Sequence, residues 1–447
     1  MEKLDSIREQ FPITGQCFTN ASGLQKSITY FDHGASTHPP RAVLEVYRDF
    51  LENYYANVHR GNHFLSQKSS TLFDNVTEVI LEFVGGDAST SGVIFGANTT
   101  TALDIAAHLM QQVEGATLVS NMEHHSNDLP HRRRGEVHRI ELLLDGTINY
   151  DDLEAKLKAH RIKLVAVTGG SNVSGYLPDI HRIARMAHAH GARILVDAAQ
   201  LVAHKSISMR GTGDDDAIDF LAAAGHKAYA PFGAAFLVAP MSIINAAEPY
   251  IPGGGTVLAV SPERVLWAEG VERHSGGTPN IAGVIALGAA LRWLSEIGLD
   301  WVRAHELELL EYAESRLRTI RGVTMLGNIP IDRKLGVMSF NFDHLHHNAA
   351  SAILNDNYGI ATRNGCFCAH PYLVHLLHCT DVDEIFARAE RGERTEMPGA
   401  VRATIGIYNN REDLDKLLGA VAEIASGVGY DPVEAARRAD VAACAAE

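Results

Sequence analysis

Between about Gly92 and Pro240 the chain alternates short, β-rich apolar runs with stretches of helical period. GVIFG leads into TTTALDIAAHLMQQ, and ATLVS follows. DDLEAKLKAHR then leads into KLVAVTG, LPDIHRIARMAHAHG into RILVD, and DFLAAA and AAFLVAP close the series. Short apolar runs separated by segments with a single apolar stripe predict a mostly parallel sheet covered by helices, an α/β fold. Gly253 to Gly255 and the pair Gly276 and Gly277 mark loops. After them AGVIALGAALRWLSEIG returns to a long helical period, and GVMSFNF and VRATIGIY give the strand signals of a smaller α+β lobe. The expected organisation is an N-terminal segment at 1–35 joining the small domain, a large domain at 36–285 and a small domain at 286–447. Ser6 with Glu9 three residues on reads as a capping box at the first helix. PVEAARRADVAACAAE reads as a last helix or a frayed end.

Composition narrows the class. With 447 residues, 46% apolar and 21% charged, the chain is long enough for a large enzyme domain with a smaller partner and shows no mark of disorder or fibre. The formal charge of −15 argues against a nucleic acid partner and leaves room for a local basic pocket that takes one phosphate. MEKLDSIREQFPI lacks the apolar centre of a signal peptide, and no apolar run is long enough to span a membrane, so the expected location is cytoplasmic. Cys17, Cys366, Cys368, Cys379 and Cys444 are unevenly spaced, a set better suited to free thiols in a reducing compartment than to a disulfide framework.

Two polar residues stand at the ends of apolar runs. Lys227 follows DFLAAAGH, where a lysine is either solvated surface or the amine that condenses with a carbonyl cofactor, pyridoxal 5'-phosphate. Asp197 ends RILVD, where a buried carboxylate needs a cation; a protonated pyridine nitrogen is one, and the alternative is a helix N-cap. Thr99, Thr100 and Thr101 open a helix after GVIFG and read as a phosphate cradle or as caps. His124, after ATLVS, could lie flat on a pyridine ring. In RNGCFCAHP, Cys366 and Cys368 follow an arginine whose charge would lower a thiol pKa. A disulfide across one residue is strained and a metal needs more ligands, which leaves a reactive loop thiol or two inert ones. No histidine grouping has a metal spacing: His188 and His190 lie two apart on a helix, and HLHH at His344 to His347 lacks a fitting partner motif.

Ten ordered motifs, YFDHGAS, YYANVHRGNHFLS, ANTTTALD, MEHHSND, GGSNVSG, ILVDAAQLVAH, AGHKAYAPFG, SGGTPN, RNGCFCAHP and VRATIGIYNN, cover almost the whole chain. They resemble the class V aminotransferase superfamily, within it the cysteine desulfurase and selenocysteine lyase group. The resemblance implies fold type I of the pyridoxal-phosphate enzymes, with Lys227 as the cofactor-bearing lysine, Asp197 on the pyridine nitrogen, Gln200 at the ring oxygen and His124 stacked on the ring. It further implies that His226, Thr99 and Thr100 hold the phosphate together with Thr278 of a neighbouring subunit, hence a homodimer with shared active sites. Asn172 and Arg363 fall where the family meets the substrate carboxylate, Asn172 also among the cofactor-binding positions, and His59, Arg60 and Arg402 match further pocket residues. Cys368 matches the sulfur nucleophile, with L-cysteine as substrate, alanine as product and a sulfur-acceptor protein as onward partner. A C–S lyase, an epimerase or an aminotransferase would share Lys227 and Asp197 without needing Cys368, and a catalytically silent subunit would need none of them. The chain departs from the pattern in two places: Cys366 and Phe367 replace a histidine pair, and Ala224 stands where a phosphate-binding serine is usual. EIFARAERGERTEMPG is longer than the usual connection and reads as a pocket-covering loop or a surface helix.

Overall fold

The computed structural model describes residues 2–20, 23–392 and 397–428. At its centre is a seven-stranded sheet of β1 (Ser91–Gly96), β2 (Ala116–Ser120), β3 (Val137–Ile140), β4 (Ile162–Thr168), β5 (Arg193–Asp197), β6 (Phe220–Ala224) and β7 (Ala235–Pro240). The order is β1-β7-β6-β5-β4-β2-β3, and only β7 runs antiparallel, to both of its neighbours. Ile194, Leu195 and Val196 on β5 are fully buried on both faces, which is why such strands read as continuous apolar runs. Since β7 alone is reversed, the carboxyl ends of the other six strands share one edge. Thr168 lies opposite Asp197, and Asp197 opposite Ala222, so the loops leaving β4, β5 and β6 emerge side by side. The crevice outside such strand ends is where open α/β sheets bind ligands.

A second, antiparallel sheet joins β8 (Val323–Met325), β9 (Val337–Phe342), β10 (Arg363–Gly365) and β11 (Ala400–Thr404) in the order β8-β9-β11-β10. Helix α1 (Thr99–Leu109) follows β1, and α2 (Ile281–Ile297) and α3 (Leu299–Leu317) lead towards the second sheet. The apolar side chains of α2, from Ala282 to Leu294, run across the expected boundary at 285/286 and all pack into the core that covers the central sheet. Leu309, Leu310, Ala313 and Leu317 on α3 join the second core with Met338, Phe340 and Ala403. The N-terminal segment ties the two together. Ile7 and Phe11 belong to the first core, while Phe31 belongs to the second and Thr29–Tyr30 pairs in parallel with Ile360–Ala361.

The first helix spans Glu2–Glu9, so Ser6 lies inside it and does not cap it; Glu2 and Asp5 supply the acidic first turn that a helix dipole favours. Val382–Glu390 is a surface helix without a buried residue, which settles the first part of the long connection; 393–396 lie outside the described residues. The last segment, 429–447 with Cys444, also lies outside them. Among the described residues no single helix is long and apolar enough to cross a membrane.

Candidate active site

At the shared edge of the strands lies a cavity of about 360 Å³. Thr99, Thr100, His124, Asn172, Asp197, Gln200, His226, Lys227, Arg363, Cys368 and Arg402 all line it. Thr101 does not: its N–H and hydroxyl both go to Asn98 Oδ1, the cap of α1.

Lys227 sits in a one-turn 3-10 helix, Gly225–Lys227, directly after β6. Thr37 fixes this turn from the N-terminal segment, since its N–H donates to His226 O at 2.8 Å and its Oγ1 accepts from Tyr229 N at 2.7 Å. The half-buried lysine has its pKa lowered to about 8, mainly by desolvation, with Asp197 pulling the other way and Arg402 adding to the drop. Asp197, 5% exposed, accepts the N–H of Ala199 at Oδ1, a local turn at the point where β5 ends. No helix starts there, so the N-cap reading does not apply. Burial raises its pKa, against the opposing pull of the Ala199 N–H and Lys227. A buried acid and a half-buried base in one cavity, each pushed towards neutrality, are the kind of perturbed pair that marks a functional site.

His124 accepts the N–H of Ser126 at Nδ1 (3.1 Å), and burial followed by the charge of Lys227 lowers its pKa to about 4, so the ring is neutral at physiological pH. His226 is lowered to about 4 by the same two causes. Thr100 Oγ1 meets Ser126 Oγ at 2.7 Å, and Gln200 Nε2 donates to Gly34 O at 2.6 Å. Beneath His124, Glu123 is buried with Ser120 and Asn127 donating to its two oxygens, and desolvation pushes its carboxyl up to about 8.

The mouth is built from the loop after β10. Phe367 and Cys368 both have left-handed backbone, with φ of 54° and 53°, a conformation that costs a residue with a Cβ about 1–2 kcal/mol. Neighbours hold it in place: Asn172 Nδ2 donates to Phe367 O at 2.7 Å, His125 N donates to Cys368 O at 2.7 Å, and the Arg402 guanidinium lies 4.8 Å from the centre of the Phe367 ring. The result leaves Cys368 exposed while lining the same cavity as Lys227. Its thiol pKa is raised rather than lowered. The protein that backs it desolvates it, Cys366 adds to the rise, and Arg363, Lys227 and Arg402 offset only part. The expected low thiol pKa is therefore corrected.

Arg402, only 2% exposed, donates to Asn172 O at 3.0 Å and to Asp32 Oδ1 at 3.3 Å. The exposed Arg363 lies 3.6 Å from Asp32 Oδ2, so one carboxylate holds both arginines at the cavity wall. Asp32, Phe367 and Ser126 had no role assigned from sequence, although YFDHGAS, RNGCFCAHP and MEHHSND carried them. Three expected residues do not line the cavity of their own chain. His59 turns away to Asp74 Oδ1 at 2.8 Å, Arg60 is exposed, and Thr278 Oγ1 lies on the surface within 3.5 Å of Asn57 Nδ2. The Asn57 contact does gather 57–60 and Thr278 into one surface region.

Residues 29–417 match the family described as Aminotransferase class-V. The chain is 34% identical over 420 residues to a probable cysteine desulfurase of Halalkalibacterium halodurans, covering 92% of this chain and 95% of that one. It is 32% identical to a cysteine desulfurase of Dickeya dadantii over 94% of this chain and 96% of the relative. Among solved structures it superposes on an apo cysteine desulfurase from Thermococcus onnurineus with a TM-score of 0.82 at 30% identity, covering 95% of this chain and 98% of the other. The S-sulfonic acid form of the cysteine desulfurase CsdA from Escherichia coli gives 0.78 at 26% identity, with 95% and 99% covered. On this match of sequence and fold type I architecture, the chain belongs to the class V aminotransferase family.

Proposed function

We propose that the chain is a pyridoxal 5'-phosphate-dependent cysteine desulfurase, which moves the sulfur of L-cysteine onto Cys368 and releases alanine. The observation that carries this reading is the meeting, in one cavity, of a depressed lysine and a buried aspartate on the floor with a cysteine at the mouth. The cysteine desulfurase relatives support it across nearly the full chain.

The residues fit the cofactor. Thr99 Oγ1 is buried with no hydrogen-bond partner among the described residues, at the N-terminus of α1 where N–H groups favour a phosphate. Thr99, Thr100 and His226 would hold the phosphate, Asp197 the ring nitrogen and Gln200 the ring oxygen, with His124 against the ring. Ala224 offers no hydroxyl, and a lost hydrogen bond to a charged group is worth about 1.5–3 kcal/mol, which the Thr99 hydroxyl offsets. When bound, pyridoxal phosphate supplies a carbonyl carbon for an amine and a ring that takes up the electron pair left at Cα.

The chain's own groups do the rest. Lys227, with a pKa of about 8, keeps a neutral fraction near pH 7 and can carry a proton to and from Cα. Arg402 and Arg363 orient the substrate carboxylate, Arg402 with an Nε that has no partner among the described residues. Asn172 also serves this wall by bracing it, with one amide N–H on the Phe367 carbonyl. The Cys368 thiolate attacks the sulfur of L-cysteine: an S–S bond forms, the Cβ–S bond breaks with its electron pair staying on carbon, and protonation there completes alanine. Cys368 is left as a persulfide for an acceptor protein, which its exposure leaves within reach.

The working unit in this reading is a homodimer in which Thr278, His59 and Arg60, turned away from their own cavity, complete the neighbour's. Four free cysteines among the described residues accord with work in the cytoplasm. A single-turnover reaction with L-cysteine tests the proposal by following alanine, pyruvate and protein-bound persulfide separately. Equal amounts of alanine and persulfide are expected; pyruvate with free sulfide would mean elimination and defeat it.

A further inference from the structure

The loop that carries Cys368 leads into the short helix α4 (His370–Leu376), and its first residue meets a second histidine from the opposite wall. His125 and His370 stack with ring centres 4.9 Å apart and planes 10° from parallel. The backbone N–H of His370 donates to His125 Nε2 at 3.3 Å, and His370 Nδ1 lies 3.1 Å from the same Nε2. A backbone N–H can only donate, so His125 Nε2 is an acceptor and the His125 proton sits on Nδ1. The second contact to that acceptor then requires a proton on His370 Nδ1. One unprotonated nitrogen thus receives two donors from α4, while the backbone N–H of His125 donates to Cys368 O at 2.7 Å. The two ends of Cys-Ala-His are tied to a single residue.

We propose that His125 and His370 form a clasp that positions the Cys368 loop for sulfur transfer, closed when His125 is neutral and opened when His125 is protonated at Nε2. This rests on the reading of Cys368 as the sulfur acceptor. The geometry has a clear purpose. Phe367 and Cys368 are both left-handed, a conformation that relaxes unless both sides of it are held, and the Asn172 contact to Phe367 O secures only the side before Cys368. The clasp secures the side after it.

The charges around the pair favour closure at neutral pH. His125 faces His370 from the loop and His124, Asp128 and Arg132 from its own wall. Desolvation and then His370 lower its pKa, Asp128 opposes them and Arg132 adds to the drop; burial alone lowers His370. The neutral, closed form therefore prevails above this depressed pKa and is lost as the pH falls through it.

The test is the single-turnover rate of persulfide formation in the holoenzyme, from about pH 4 to 8, a range carried below that of an ordinary histidine because the His125 pKa is depressed. His370→Leu removes the Nδ1 donor, and the rate at saturating L-cysteine is expected to fall about 3- to 10-fold, the worth of one hydrogen bond, with half-saturation unchanged. His370→Asn places an amide N–H where Nδ1 stood and should stay within about twofold of wild type, rescue that a general packing role would not give. His125→Gln supplies an amide oxygen at the Nε2 position that takes no proton in this range. At the acid end it should lose one ionisation, so that the slope of log rate against pH falls by about one. Equal loss in His370→Leu and His370→Asn, or an unchanged acid slope in His125→Gln, overturns the clasp. If His370→Leu does not fold, His125→Gln carries the test alone. Cys368→Ala separates the two readings: persulfide in that variant defeats sulfur transfer to Cys368, whereas its absence together with wild-type behaviour in the histidine variants defeats only the clasp.

Discussion

Replacing Lys227 by methionine should make the protein more stable, because the fold carries this lysine at a cost. The ammonium is held at a pKa of about 8 against a lysine's ordinary 10.5, and desolvation is the main reason. At about 1.4 kcal/mol per pH unit this is a penalty of about 3 kcal/mol at pH 7. Two corrections reduce it. The side chain is only half-buried, so water at the cavity mouth screens part of the effect, and Asp197 loses the cation that draws its own pKa down. A net gain of about 1.5–2.5 kcal/mol remains for Lys227→Met in protein freed of any carbonyl cofactor. The sign has a pH signature. Between the folded pKa of about 8 and the ordinary 10.5, the unfolded chain binds more protons than the folded one, so wild-type stability rises with pH there. The advantage of the variant is therefore full below about pH 8 and fades towards pH 10.5. Urea unfolding of both proteins at pH 7 and at about pH 10 reads this as a shift in midpoint that shrinks at the higher pH. A variant less stable at pH 7, or equally stabilised at both, would refute the claim that Lys227 is held against its own solvation.

Three further outcomes follow from the site. Asn172→Ala should cut the persulfide rate about 5-fold by removing the bond to Phe367 O, worth about 1 kcal/mol, while cofactor absorbance stays normal; an unchanged rate would mean that the loop does not lean on Asn172. Because the Cys368 thiol is raised, the rate of its alkylation should climb about tenfold per pH unit from neutrality into the alkaline range, and Arg363→Ala should slow it at fixed pH by removing one of the charges that favour the thiolate. A plateau near neutral pH would contradict the raised pKa. Mixing inactive Lys227→Ala and Thr278→Ala chains should restore activity if Thr278 serves the neighbour's site, and no recovery in mixed dimers would remove it from that role.

Much of this site was legible before any coordinates because its residues stand where apolar runs end. Asp197 and Lys227 close β5 and β6, and a polar residue at the carboxyl end of a buried strand has few places to go except the crevice. The strands that escaped notice are short or polar. VHRI of β3 has two polar residues at its centre and lies at the sheet edge, RNG of β10 is three residues with two exposed, and the hairpin of Val257–Val260 with Val265–Trp267 leaves Leu258 and Val260 in the open. Asp32 was missed for a different reason. Its task depends on Arg363 and Arg402, which lie more than 300 positions away in sequence; the β10 and β11 pairing sets the two arginines side by side, and a bridge between Asp32 and Thr404 brings the carboxylate to them. The thiol pKa was misjudged because Arg363 lies only five positions before Cys368, whereas the desolvation that outweighs it comes from the folded protein behind the thiol. His59, Arg60 and Thr278 could not be placed around the cavity from one chain, since the surface they share faces outward.

The most direct test of sulfur transfer to Cys368 is one turnover of the holoenzyme of Cys368→Ala with L-cysteine, beside wild type, with alanine and protein-bound persulfide measured together. The variant should still bind the amino acid, seen as a change in the cofactor absorbance, yet form no persulfide and release alanine at least about 100-fold more slowly, as expected when a nucleophile is removed and binding is kept. Alanine and persulfide at the wild-type rate from Cys368→Ala would contradict the account at its centre.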